Sequence, residues 1–243
     1  MTDDAKIAHV AAVLADPARA RIVMVLMDGR ARTAKELAFL AGVSPSTASA
    51  HLARLSDIGL IAVTPQGRHR YHRLASPRIA GMVESISAVA GAMPQAPVAR
   101  LRGGAGLRLA RTCYDHLAGR LAVAIADSLQ AEGHVLLDDD GGEVTRSGRA
   151  FFAEHGFRIE PAASLRRVFC RACMDWSERR FHIAGHVGAV ICTETVARGW
   201  LRRERDGRAL AVTPEGRQGL ATTFGVAVAS LERSETGRSE AAA

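Results

Sequence analysis

Residues 33–74, TAKELAFLAGVSPSTASAHLARLSDIGLIAVTPQGRHRYHRL, decide the fold of the N-terminal part of this chain. Thr33 and Glu36 have the spacing of a capping box, which predicts the start of a short helix, and Gly42 is placed to end it. Ser44 is a typical N-cap for a second helix. Two short helices joined at a glycine predict a helix-turn-helix, whose second helix enters the major groove of DNA.

The segment after Gly59 predicts a β-hairpin. LIAV at 60–63 and RYHRL at 70–74 have the composition of strands, and the tip PQGRHR at 65–70 is basic. A basic hairpin beside a recognition helix is a wing, which contacts phosphates or the minor groove, although a solvated hairpin is the alternative. The predicted DNA-binding residues are Ser44, Ser46, Thr47, Ser49, His51, Arg54, Arg68, His69 and Arg70.

The composition favours a nucleic-acid partner. The net charge of +7 comes almost wholly from arginine, because Lys6 and Lys35 are the only lysines. Arginine suits bidentate contacts to phosphate and to guanine. No apolar run is long enough to span a membrane and the N-terminus does not resemble a signal peptide, so we expect a cytoplasmic protein without membrane contact. Four cysteines in a reducing compartment argue against a disulfide framework.

Residues 8–93 resemble the ArsR/SmtB family of winged helix-turn-helix repressors. LADPARARIVMVL, AHLARLSDIGLI and the wing are the matching stretches. The resemblance implies a homodimer held by the first and last helices of this domain, a palindromic double-stranded DNA operator, and release by an inducer, often a metal ion. Residues 76–93 would then be the dimer helix. Four apolar residues share one face of it: Ile79, Val83, Ile86 and Val89.

The chain departs from this family where metal ions usually bind. One family site places cysteines in the first helix of the helix-turn-helix, where this chain has ELAFLAG at 36–42. Another uses carboxylates and histidines of the dimer helix, where Glu84 alone offers a ligand. Long members of the family carry a C-terminal extension with segments like CYDH at 113–116 and CMDWSER at 173–179, but the resemblance assigns no inducer to them. Any sensing is therefore predicted in the C-terminal part.

The predicted fold is mainly α-helical with small β-hairpins. Two C-terminal segments, 131–156 and 197–225, share a glycine, a hairpin, the pattern VT-x-x-GR and a helix. This predicts a domain of two degenerate winged-helix-like halves, with chance recurrence as the alternative. The predicted parts are a DNA-binding and dimerisation domain (1–93), a linker (94–106), a C-terminal sensor domain (107–232) and a disordered tail (233–243).

Helical interpretations of the C-terminal part follow from local spacing. Residues 107–133 have a long helical pattern, which would place Cys113 and His116 one turn apart. Asp175 and Glu178 have capping-box spacing, which predicts a helix from Trp176 to Arg198 with its histidines on one face. The arginines of the last hairpin predict a solvated face, with DNA contact as the alternative: Arg202, Arg203, Arg205 and Arg208.

Cysteines and histidines of these segments form a possible metal site. The candidate ligands are Cys113, His116, Cys170, Cys173, His182 and His186. A set of two cysteines and two histidines can bind zinc, whereas three thiols would suit cadmium, lead or arsenite.

Other functions compete with metal sensing. Cys170 and Cys173 lie among arginines near a predicted helix N-terminus, which would favour thiolates and a thiol-redox switch. Alternatively, the cysteines are buried and inert, and the protein is a constitutive DNA-binding protein whose extension strengthens the dimer. A thiol oxidoreductase is a further rival, but its usual βαβ setting is missing from the pattern. We therefore predict a transcriptional regulator and no enzyme.

Overall fold

The computed structural model describes residues 2–92, 105–138, 141–160, 168–204 and 207–233. The chain divides into two compact units, Met1–Val83 and Glu84–Ala243. The division falls ahead of the predicted linker, most of which lies outside the described residues, as does the predicted tail from residue 234 onward.

The first unit has the element order of a winged helix-turn-helix. Its elements are α1 (Asp3–Leu14), α2 (Pro17–Leu26), β1 (Arg32–Thr33), α3 (Ala34–Ala41), α4 (Pro45–Asp57), β2 (Ile61–Gln66), β3 (His69–Leu74) and the start of α5 (Pro77–Ala92). The strands form an antiparallel sheet in the order β1-β3-β2. Helices α2, α3 and α4 pack around buried Ile22, Leu37 and Leu55.

Local signals of the helix-turn-helix act as the sequence predicts. The Thr33 side chain and Glu36 form a capping box at the start of α3. Gly42 ends α3 in the left-handed conformation with φ 67°, which a glycine adopts without steric cost. The Ser44 hydroxyl accepts a hydrogen bond from the Thr47 amide and caps α4. Helices α3 and α4 are therefore the two helices of the predicted motif.

The second unit contains short hairpins that alternate with helices. Its elements are α6 (Ala105–Leu109), β4 (Arg111–Cys113), β5 (His116–Ala118), α7 (Arg120–Ala131), β6 (Val135–Leu137), β7 (Gly142–Val144), α8 (Arg146–Glu154), β8 (Arg171–Met174), β9 (Phe181–Ala184), α9 (Gly185–Ala197), β10 (Leu201–Arg203), β11 (Leu210–Val212) and α10 (Pro214–Phe224). Within the described residues of this unit, the strands form four antiparallel hairpins: β4–β5, β6–β7, β8–β9 and β10–β11.

The second unit is an internal repeat, in which the order hairpin, helix, hairpin, helix occurs twice. The first half runs from β4 to α8 and the second from β8 to α10. Both halves begin with Arg-x-Cys-x-Asp and continue with His-x-Ala-Gly before the helix. The repeat is thus longer than the predicted segments 131–156 and 197–225. Helix α7 packs against β9 and α9 against β5, so the halves interlock around Leu121, Ile125, Val187 and Ile191.

Two helix predictions are wrong because turns interrupt the pattern. Residues 111–118 form a hairpin, whose turn begins at Tyr114 with φ 59°. Asp175 accepts hydrogen bonds from nearby amides as a capping residue does, but Arg179, with φ 54°, turns the chain back into β9. Helix α9 therefore begins at Gly185 and not at Trp176.

Candidate metal centre and nucleic-acid interface

A cysteine and a histidine face each other across the first hairpin of each half. Cys113 pairs with His116 between β4 and β5, and Cys173 pairs with His182 between β8 and β9. Cross-strand partners project to the same face of an antiparallel pair. Strands β5 and β9 contact each other, so the two pairs meet.

The four side chains converge on one buried point. One ligand atom from each of Cys113, His116, Cys173 and His182 lies within 4.8 Å of all the others. The two Sγ atoms are 4.0 Å apart, and the imidazole rings stack with their centroids 5.1 Å apart. In a tetrahedral zinc site with Zn–S bonds of about 2.3 Å, two sulfurs lie about 3.8 Å apart. The cluster is therefore close to the size that a tetrahedral ion requires.

An aspartate lies beside each histidine of the cluster. His116 Nδ1 is 3.3 Å from Asp115 Oδ1, and His182 Nδ1 is 3.9 Å from Asp175 Oδ2. The Nε2 atoms of both histidines are buried and have no hydrogen-bond partner among the described residues. Metal-binding histidines commonly point their other nitrogen at a carboxylate, which fixes the ring. Both Nε2 atoms are therefore without a described partner, and so is His182 Nδ1, which lies too far from Asp175 for a hydrogen bond.

Asp175 also links the hairpin β8–β9 to the hairpin β4–β5 by hydrogen bonds. Its Oδ2 accepts hydrogen bonds from Arg111 Nη2 at 2.8 Å and from the Gly119 amide at 2.7 Å. Its Oδ1 accepts from the amides of Ser177 and Glu178 at 2.9 and 3.1 Å. Burial alone would raise the pKa of Asp175, but the Arg111 guanidinium and these hydrogen bonds hold it well below its usual range. The carboxylate therefore stays charged and fixes the geometry of the cluster.

The two cysteines of the cluster are electrostatically different. A hydrogen bond from Cys113 lowers the pKa of Cys173 far below its usual value against the effect of burial, with help from His116 and His182. Burial and the neighbouring Cys173 raise the pKa of Cys113. The pocket therefore favours one thiolate, the form in which cysteine binds metal ions.

Two of the six predicted ligands lie outside the cluster. Cys170 belongs to the large apolar core, whereas Cys173 packs with Cys113 in a separate group. The reason is that residues three apart in an extended chain point to opposite faces. Burial raises the pKa of Cys170 to about 11, so the prediction that arginines activate this thiol is wrong. His186 lies on α9 and stacks against Phe169, away from His182 on β9.

Most of the predicted DNA-binding side chains are exposed. Helix α4 exposes Ser44, Ser46, Thr47, Ser49 and Arg54, and the wing of β2 and β3 exposes Arg68, His69 and Arg70. His51 differs because its side chain is only 14% exposed, with Nε2 3.7 Å from Asp16 Oδ1 and Nδ1 3.5 Å from Arg19 Nη1. The exposed hydroxyls hydrogen-bond within α4 and its N-cap, as Ser49 Oγ does with the Pro45 carbonyl, but they remain accessible from solvent.

Sequence relatives identify the family. Residues 14–64 match the family model of a helix-turn-helix domain. The uncharacterized HTH-type transcriptional regulator YdfF of Bacillus subtilis is 42% identical over 214 residues, which cover 87% of this chain and 93% of YdfF. The chain belongs to the ArsR/SmtB-like winged helix-turn-helix regulators. This regulator is accordingly a DNA-binding transcription factor and not an enzyme.

Other matches cover a smaller share of the regulator. The HTH-type transcriptional regulator CmtR of Mycobacterium tuberculosis is 35% identical over 77 residues, which are 32% of this chain and 64% of CmtR. The homodimeric winged helix-turn-helix DNA-binding domain (fragment 1–100) of Mb0332 from Mycobacterium bovis, a possible ArsR-family transcriptional regulator, has a TM-score of 0.36 and 27% identity. It covers 39% of this chain and 92% of its own. Within the described residues, no helix has the length and hydropathy needed to cross a membrane.

The sequence prediction missed one residue and one ion pair near the candidate metal centre. Asp115 was not singled out, although Cys-x-Asp precedes the histidine in both halves. Glu84 and Arg208 form a buried ion pair with Nη1 and Oε1 3.3 Å apart. The prediction of a solvated face is therefore wrong for Arg208, and no local pattern indicated its distant partner.

Proposed function

We propose that this regulator binds one thiophilic divalent ion through Cys113, His116, Cys173 and His182, and that the ion controls its affinity for DNA. The observation that carries the proposal is the convergence of four buried ligand groups in which both histidine Nε2 atoms have no described hydrogen-bond partner. Unpaired buried nitrogens are costly, and an ion would satisfy both.

The ligand chemistry favours zinc, followed by cadmium. Two sulfur and two nitrogen ligands in a tetrahedron are a typical zinc set, and cadmium prefers similar soft ligands. Lead and arsenite would suit a site with three thiols. Cys170 lies in the apolar core, however, so the cluster contains two thiols and favours these ions less.

DNA binding would follow the geometry of the first unit. We propose that α4 contacts base edges with Ser46, Thr47 and Ser49, while Arg68 and Arg70 of the wing contact phosphates. A homodimer would place two copies of α4 on a palindromic operator. Exposed apolar side chains on α1 and α5, among them Ile7, Ile86 and Val89, support dimerisation through these helices. The regulator would act as a repressor that the ion releases.

A structural ion is the second candidate. Four protein ligands in a buried site leave no open position, and closed sites of this kind often contribute to folding. In that case the ion would be permanent, and the C-terminal unit would serve DNA binding only by its stability.

The metal content of the purified full chain tests ion binding. The protein is treated with a chelator, loaded with zinc, desalted and measured by mass spectrometry of the metal. We expect about one ion per chain in the parent and in Cys192→Ala, a control at another buried cysteine, and a loss of at least tenfold in affinity for Cys173→Ser. Equal zinc binding by the parent and Cys173→Ser would overturn the proposed site.

The DNA affinity of the same preparations separates the two roles. Duplexes selected from a random-sequence library serve as probes, and fluorescence anisotropy gives the affinity of the zinc-loaded and zinc-free protein. Regulation predicts a folded zinc-free protein whose DNA affinity differs by about 5- to 150-fold from that of the loaded form. A zinc-free protein with an unfolded C-terminal unit would favour the structural role instead.

A further inference from the structure

Glu84 on α5 carries a buried carboxylate beside the metal centre. The residue is 5% exposed, and its Oε1 is 3.3 Å from Arg208 Nη1. Its Oε2 is buried and has no hydrogen-bond partner among the described residues. After burial and Cys173, the Glu84 carboxylate is a further cause that raises the pKa of Cys113. One side chain of α5 thus forms a buried ion pair with Arg208.

The backbone around Arg208 is hydrogen-bonded to the strand that carries Cys113, β4. The Arg208 carbonyl accepts a hydrogen bond from the Thr112 amide at 2.9 Å. On the other side, the Leu210 amide donates to the Ala110 carbonyl at 2.9 Å. Arg208 is therefore tied through its backbone to the residue directly before Cys113 and through its side chain to Glu84.

We propose that the Glu84–Arg208 ion pair couples occupancy of the metal centre to DNA affinity. This inference rests on the proposed function. Helix α5 is continuous from Pro77 to Ala92, so Glu84 belongs to the same helix as residues of the DNA-binding unit. A helix is a rigid element, and a change in the position of one side chain can bias the arrangement of the whole element.

The coupling has a mechanical cause. A tetrahedral ion would draw Cys113 Sγ towards Cys173 Sγ from the present 4.0 Å, and β4 would move with it. Arg208 would follow β4 through its backbone hydrogen bond, and the Glu84 carboxylate would follow Arg208. A buried ion pair responds strongly to small displacements because the low dielectric around it makes its energy depend on distance and geometry.

The decisive variant is the double substitution Glu84→Gln with Arg208→Gln in the full chain. It removes both charges and leaves no unpaired buried charge, which favours folding. Arg217→Gln with Glu232→Gln is the matched control, because this Arg–Glu pair of the second unit is in direct contact at 2.6 Å but is exposed. Circular dichroism checks the fold, and zinc per chain and DNA affinity with and without zinc are then measured for all three proteins.

We expect all three proteins to bind one zinc ion per chain. The ratio of DNA affinities without and with zinc should be about 5- to 150-fold in the parent and the control, and below about twofold in the Glu84/Arg208 variant. A change confined to this ratio, with the fold and zinc content intact, is a result that a purely structural role of the pair would not produce.

Two results would overturn the inference in different ways. An unchanged ratio in a folded, zinc-binding Glu84/Arg208 variant would exclude the coupling and leave the proposed function intact. If the parent protein binds no zinc, or if zinc does not change its DNA affinity, both the proposed function and the coupling are excluded. If the double variant does not fold, Glu84→Asp provides the same test, because it keeps the charge and withdraws the carboxylate from Arg208 by one methylene group. A parental ratio in that variant would likewise overturn the coupling.

Discussion

Cys113 and Cys173 lie 60 residues apart in the sequence, yet their Sγ atoms are 4.0 Å apart. Each cysteine stands on the first strand of a hairpin, with a histidine directly opposite on the second strand. One half of the repeat supplies only two ligands, so neither half could complete a four-ligand site alone. The proposed centre therefore depends on how the two halves pack together.

Gly119 and Gly185 should not tolerate substitution by alanine. They occupy equivalent positions, directly after hairpins β4–β5 and β8–β9, where another part of the backbone approaches closely. Their φ angles are 90° and 79°, and an added Cβ would lie 2.8 Å from the carbonyl oxygen of Arg108 or Val168. We expect Gly119→Ala and Gly185→Ala each to lower the free energy of unfolding by about 2–4 kcal/mol, through backbone strain and overpacking. Urea unfolding followed by tryptophan fluorescence measures this loss.

Gly133→Ala is the control for these glycines. Gly133 also has a positive φ, 69°, but a Cβ there would meet nothing within 4 Å. Strain alone should cost about 1–2 kcal/mol. Losses at Gly119 and Gly185 no larger than at Gly133 would show that the close backbone contacts do not constrain the hairpins.

Asp175→Asn should destabilise the C-terminal unit although the side chain keeps its size. The substitution leaves the buried Arg111 guanidinium without its carboxylate partner, and breaking a buried ion pair costs about 3–5 kcal/mol. Asp127→Asn, which breaks a more exposed pair with Arg180, should cost less than about 1 kcal/mol. Thermal and urea unfolding compare the two variants. Similar losses at both positions would argue against Asp175 as the link between the hairpins.

Arg68→Gln and Arg70→Gln should weaken DNA binding on all sequences. Both side chains are exposed on the wing, and phosphate contacts carry affinity without base specificity. Each substitution should reduce the slope of log affinity against log salt concentration by about 1. Arg149 is an exposed arginine of the second unit and is paired with Glu160. The control substitution Arg149→Gln should therefore leave the slope unchanged. Equal slopes for parent and wing variants would exclude the wing from the interface.

The first unit could be predicted from sequence because its signals are local. The capping box at Thr33, the N-cap at Ser44 and the glycine at position 42 each fix the backbone within a few residues. Such short-range hydrogen bonds and φ preferences are visible in a single sequence, so α3, α4 and the wing follow from them.

The candidate metal centre was harder to predict because its geometry is set by contacts between residues far apart in the sequence. Cys113, His116, Cys173 and His182 were all candidates, but helical spacing placed Cys113, His116 and His182 on helices and Cys173 just before one. In the structure, each of the two turns contains a residue in the left-handed conformation, Tyr114 or Arg179, and the chain forms hairpins. Tyrosine and arginine rarely adopt this conformation, so their presence did not predict it. Contacts between residues far apart in the sequence leave no local pattern, which also explains why the Glu84–Arg208 pair was missed.

The coordination shell of the zinc-loaded protein tests the central claim most directly. X-ray absorption spectroscopy at the zinc edge measures the number and type of ligand atoms without a crystal. We predict two sulfur ligands at about 2.3 Å and two nitrogen ligands at about 2.0–2.1 Å. A shell with three sulfurs would require Cys170 or Cys192 as a ligand, and a shell of oxygen and nitrogen alone would place the ion elsewhere; either result would contradict the proposed centre.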